Sequence, residues 1–134
     1  MNPDLLKKIL YVEDEPDIQT VATMALQALG GFELECCSSG AEAVAKAPAF
    51  EPDVILLDVM MPDMDGPSTL QALRQLPGLA LTPVIFMTAK VQAQEVAHYR
   101  ALGALDVIHK PFDPMSLADQ VRQIWLHAEA LDLE

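Results

Sequence analysis

The chain has 134 residues, 51% of them hydrophobic, with 20 Asp+Glu against 8 Lys+Arg for a net charge of -12. That length suits one domain with a buried core, expected to take in residues 1–134. The acidity argues against nucleic acid or anionic membrane surfaces as direct partners, because Lys7 and Lys8 are the only adjacent basic pair.

The longest apolar runs, such as Val54–Leu57 and Val84–Met87, fall far short of the roughly 20 residues of a membrane span. The apolar start at Ile9 runs into Glu13, Asp14 and Glu15, which is no secretory signal. A soluble, cytoplasmic protein is expected. The two cysteines, Cys36 and Cys37, are neighbours, and bridging them would strain the backbone, so free thiols are expected.

The first strand, Ile9–Val12, stops at Glu13 and Asp14. Pro16 suits the first turn of a helix whose apolar face reads Ile18, Val21, Ala22, Ala25, Leu26 and Leu29, closed by Gly30 and Gly31. From Phe32 to Cys37 apolar residues alternate with Glu33 and Glu35, the pattern of an edge strand with one wet face. An Ala-rich helix follows Ser38, Ser39 and Gly40 and ends before Pro52. The third strand, Val54–Leu57, is continuously apolar, as burial on both faces demands, and runs into Asp58.

After a loop from Met60 to Gly66, Pro67 opens a helix carrying Leu70, Leu73 and Leu76. The fourth strand, Val84–Met87, stops at Thr88. A helix over about 92–102 ends at Gly103, and a fifth strand, Leu105–His109, stops at Lys110. Asp113 and Pro114 are expected to cap and open the last helix, with Leu117, Val121 and Ile124 inward, ending near Ala128. Trp125 is expected to be partly buried.

Repeated strand–helix alternation with uninterrupted apolar central strands predicts an α/β fold, a doubly wound parallel sheet covered by helices on both faces. Such sheets carry their sites beyond the carboxyl ends of the strands. There the chain has Glu13 and Asp14, then Asp58, Thr88 and Lys110. Like charges about 4 Å apart repel by roughly 4 kcal/mol at an effective dielectric of 20. Crowded carboxylates therefore need a cation, or one must take up a proton. An all-oxygen site with few protein ligands suits Mg2+, which commonly joins carboxylates to a phosphate. A carboxylate there can attack a phosphoryl group, with metal and lysine offsetting the charge on its oxygens.

Four ordered blocks then stand out: Ile9–Glu15, Leu56–Gly66, Pro83–Ala89, and Gly103-Ala104 through Lys110-Pro111-Phe112, with Thr88 30 residues and Lys110 52 residues after Asp58. In these the chain resembles the receiver domain of two-component response regulators. The resemblance implies a flavodoxin-like five-stranded (βα)5 sheet of order 2-1-3-4-5. It implies phosphoryl transfer to Asp58 from a phosphohistidine on a sensor histidine kinase or histidine phosphotransfer protein. Magnesium would be held by Asp14 and Asp58, by Glu13 through water and by the Met60 backbone carbonyl. Lys110, before a cis Pro111, would pair with the phosphoryl group, and Thr88 would move to bond it. The readout would be the fourth helix, fifth strand and fifth helix, meeting a downstream target or attached output domain, or a second copy through the fourth and fifth helices. Many receivers carry Tyr or Phe three residues before the lysine; here that residue is Val107.

Such a module is no enzyme beyond its own phosphorylation and dephosphorylation. A phosphatase with an aspartate nucleophile would want a second aspartate two residues on, where Met60 stands, and a flavin carrier would want a phosphate loop in place of Glu13-Asp14-Glu15. The residues from Leu131 to Glu134 are too few for an output domain, so the chain is expected to be a stand-alone receiver or the front part of a longer transcription factor or output enzyme.

Overall fold

The computed structural model describes residues 5–132. Five strands, β1 (Lys8–Val12), β2 (Glu33–Cys37), β3 (Val54–Asp58), β4 (Val84–Thr88) and β5 (Asp106–His109), form one sheet in the order β2-β1-β3-β4-β5. Every neighbouring pair is parallel. Parallel neighbours require crossover connections, supplied by α1 (Pro16–Thr23), α2 (Gly40–Phe50), α3 (Gly66–Arg74) and α4 (Ala93–Ala101), while α5 (Leu117–Asp132) follows the last strand. The strand order reverses between β1 and β3, and a crevice opens at their carboxyl ends.

Strand pleating sorts the core into two layers. Ile9, Tyr11, Leu56, Ile85, Met87 and Ile108 face one side, where Ala22 and Leu26 and, from α5, Leu117, Val121 and Trp125 cover them. Leu10, Val12, Ile55, Leu57, Val84 and Phe86 face the other, under Ala43 and Ala47 of α2, Leu70 and Leu73 of α3, and Tyr99 of α4. All five residues of β3 and of β4 are buried, as their unbroken apolar runs predict.

Several local expectations need correction. The first helix continues past Thr23 as a wider π-helical turn, Met24–Leu29, which rotates later residues off the 3.6-residue face. Ala22, Ala25 and Leu26 are buried, whereas Val21 and Leu29, expected inward, are exposed. On β2, Cys37 should share the wet side with Glu33 and Glu35, yet it is fully buried, because α2 packs over that end of the sheet. Burial pushes its thiol up to about 12, so it stays protonated; Cys36 is half-buried, and both are free.

Leu76 lies just beyond α3. Asp113 caps a tight turn rather than a helix: its Oδ1 accepts from the Met115 N–H at 2.9 Å and its carbonyl from the Ser116 N–H at 3.0 Å. The helix begins at Leu117 and runs past Ala128 to Asp132. Trp125 is 9% exposed, more buried than expected. Residues 133 and 134 lie outside the described residues. None of the helices among the described residues is long and apolar enough to cross a membrane.

Candidate functional site

The residues that end the strands do converge. Glu13 and Asp14 follow β1 and Asp58 closes β3, on either side of the crevice, with one carboxylate oxygen from each within 4.8 Å of the others. Glu13 is 1% and Asp58 3% exposed, while Asp14 stands half-exposed at the mouth. Glu13 and Asp58 extend the rows that begin with Tyr11 and Leu56, so both side chains emerge from the α1–α5 face of the sheet.

Lys110 enters from beyond β5 on the row begun by Ile108. Its Nζ lies 2.8 Å from Glu13 Oε1 and 3.2 Å from Asp58 Oδ1, bridging the two buried carboxylates. Its backbone N–H donates to the Thr88 carbonyl at 2.9 Å, and the bond to Pro111 is cis. Burial, then the Glu13 charge, pushes Asp58 up to about 6, with Lys110 pulling back part of the way. Burial works to lower the Lys110 pKa, but the Glu13 hydrogen bond and the Asp58 and Glu13 charges outweigh it and hold the ammonium protonated. The site thus carries an excess of negative charge that one lysine only partly offsets.

Thr88 is 2% exposed but lies on the other pleat from Asp58, whose register partner is Met87. Its hydroxyl accepts from the Lys90 N–H at 3.1 Å. The structure therefore places the threonine beside the carboxylates in the fold without turning it toward them. The Met60 side chain is 70% exposed, which leaves only its backbone carbonyl as a group that could serve a metal.

The loop after Asp58 is shaped by Gly66. Its N–H donates to the Val59 carbonyl at 2.9 Å, and a Cβ there would stand 2.8 Å from both the Asp58 carbonyl oxygen and Val59 Cα. Asp65 Oδ1 then accepts from the Ser68 N–H at 2.8 Å and caps α3. Gly66→Ala is expected to push the loop off β3 and cost about 1–3 kcal/mol in denaturant unfolding; an unchanged unfolding midpoint would show that the approach is not needed.

Sequence reasoning missed three neighbours of the site. Gln19 on α1 donates to the Glu13 carbonyl and, at 3.1 Å, to Ser38 Oγ, fixing the backbone of the first acid. Tyr99 on α4 packs edge-on against Phe86, centroids 5.3 Å apart, and Phe86 is the register partner of Val107. An aromatic ring thus occupies the layer beside Val107, but it comes from a helix. The third is Tyr11, one step below Glu13 on β1. An isolated tyrosine in an apolar strand carries no signal of its own.

A family model for the response regulator receiver domain matches residues 9–122. The chain belongs to that family. Among curated proteins, the alkaline phosphatase synthesis transcriptional regulatory protein PhoP of Bacillus subtilis is 37% identical over 123 residues, 92% of this chain and 50% of that protein. The regulatory protein AtoC of Escherichia coli is 37% identical over 108 residues, 81% of this chain and 23% of that protein. This receiver domain spans half or less of the length of these two relatives. The chemotaxis response regulator CheY4 of Vibrio cholerae superimposes with a TM-score of 0.81 at 32% identity, covering 89% of this chain and 98% of that one. Receiver domains are the signalling modules of response regulators in two-component systems, and the sheet order found here is the one the resemblance implies.

Proposed function

We propose that this receiver domain is switched by phosphorylation of Asp58. The observation that carries the reading is the cluster of Glu13, Asp14 and Asp58, two of them buried, with Lys110 bridging those two. One Asp58 carboxylate oxygen attacks the phosphorus of a phosphohistidine on a kinase or phosphotransfer protein. The phosphorus–nitrogen bond breaks, the histidine keeps the electron pair, and an acyl phosphate forms.

The donor set fits magnesium: hard carboxylate oxygens, charge to be neutralised, and a mouth open at Asp14. Asp14, Asp58, Glu13 and the Met60 carbonyl would hold it, and when bound it would offset charge on the phosphoryl oxygens. Lys110, already protonated and 3.2 Å from Asp58, is placed to follow the phosphoryl group. Beside it an apolar groove lined by Ile18, Val21, Pro111 and Phe112 offers a donor protein a contact surface within reach of the acceptor. The cytoplasm, where such donors present phosphohistidine, is part of the same reading.

Output runs through α4, β5 and α5. The only buried side chain of α4 is Tyr99, so this helix is held to the sheet by little apolar area and can shift at modest cost. Phosphorylation biases that shift only by contacting one arrangement better than the other, and a Thr88 hydroxyl turned from the Lys90 N–H to a phosphoryl oxygen supplies the difference. The downstream target, an output domain in a longer protein, or a second copy would read the result.

Incubation with acetyl phosphate and magnesium should add one phosphoryl group to the peptide that contains Asp58, detected by mass spectrometry; addition elsewhere, or none, overturns the reading. Thr88→Ala should be phosphorylated to the same extent but show a much weaker change in α4 amide shifts on phosphorylation. A normal shift pattern would remove the threonine from the switch.

A further inference from the structure

Two buried side-chain donors lack a hydrogen-bond partner among the described residues, the Tyr11 hydroxyl and the Trp125 indole N–H. Trp125 borders a cleft at the far end of the sheet with Pro83 and Leu105. Tyr11 is different. It is wholly buried in the interior strand β1, two residues before Glu13 and therefore on the same pleat, between Cys36 of β2 and Leu56 of β3. Leu56 is in turn followed on that face by Asp58. Strand side chains lean along the chain direction, so the phenol shares the face from which Glu13 and Asp58 emerge.

Orphaned buried donors cost free energy and are uncommon. Glu13 has room for this one: Oε1 accepts from Lys110 Nζ at 2.8 Å and Oε2 from the Glu15 N–H at 3.3 Å, two bonds where a carboxylate can accept about four. Resting on the reading of Asp58 and Lys110 given above, we propose that Tyr11 is a positioning residue that donates its hydroxyl to Glu13 when Lys110 leaves for the phosphoryl group. Without it, Glu13 Oε1 would exchange the Lys110 ammonium for no protein donor and be left to the metal side of the site alone.

Tyr11→Phe keeps the ring and removes only the hydroxyl. Binding of beryllofluoride, a phosphoryl mimic, is measured by calorimetry in saturating magnesium. The variant should bind it about tenfold more weakly, the usual size of one hydrogen bond to a charged group. Affinity for magnesium alone should change by less than about twofold, because Lys110 still serves Glu13 there. In a Glu13→Gln background the Tyr11→Phe replacement should add no comparable loss, since the charged acceptor is gone. Equal losses in both backgrounds would make Tyr11 a packing residue and overturn the proposal, as would unchanged beryllofluoride binding in the single variant. A wild-type protein that binds no beryllofluoride would remove the phosphoacceptor reading and this proposal together, whereas failure of the Tyr11 arm alone leaves that reading standing.

Discussion

Asp58→Asn is expected to accept no phosphoryl group from acetyl phosphate and magnesium, and to unfold later than the wild type in metal-free buffer at pH 7.5. The first effect follows from nucleophilicity, since a carboxamide offers no anionic oxygen at the position where Glu13, Asp14 and Lys110 converge. The second follows from charge. Asp58 in the fold holds its proton up to about pH 6, against an ordinary value of 3.8. The folded protein therefore binds that proton more tightly than the unfolded chain does. Stability from this group is fully present below about pH 4 and is lost as pH rises through about 6. At neutral pH the ionised acid costs on the order of 2 kcal/mol, which the neutral amide avoids. Thermal unfolding in a chelator should show the gain at pH 7.5 and little of it at pH 4. Equal gains at both values would refute the electrostatic account, and retained labelling would refute Asp58 as the acceptor.

Lys110→Met should do the reverse. The ammonium is the cation that the structure sets between Glu13 and Asp58, both almost wholly buried. Removing one partner of a buried ion pair typically costs about 3 kcal/mol or more, because the charges left behind are neither solvated nor paired. Methionine preserves most of the stem, so packing changes little. The loss should appear in urea unfolding of metal-free protein at pH 7.5 and shrink at pH 5, where Asp58 is protonated in either chain and one of the repelling charges is gone. A variant as stable as the wild type at pH 7.5 would mean that the lysine contributes nothing to holding the acids together before phosphorylation.

Much of this could be read along the chain because the physics involved is local. Continuous apolar runs at Val54–Leu57 and Val84–Met87 can only be strands covered on both faces, and the polar residue that ends each run marks the rim of a parallel sheet. Hence the sequence alone sets Asp58 and Thr88 at that rim. Elsewhere local pattern misled. Leu29 fits an ideal helical face, but the π-helical turn at Met24–Leu29 changes the period, and nothing in the sequence announces it. Asp113 and Pro114 have the composition of a helix start, yet their bonds close a tighter turn.

By itself the sequence determined the order of strands and helices and which acids, hydroxyl and lysine end up on one rim, since each depends on residues a few places apart. Tertiary structure alone decided how those groups face one another. Pleating and sheet register turn Asp58 toward Glu13 and Lys110 while leaving Thr88 on the opposite face. They also set Tyr11 on the same face of the sheet as Glu13 and Asp58. Contacts such as Lys110 with Glu13, 97 residues away, depend on chain crossover and burial, which no local pattern encodes.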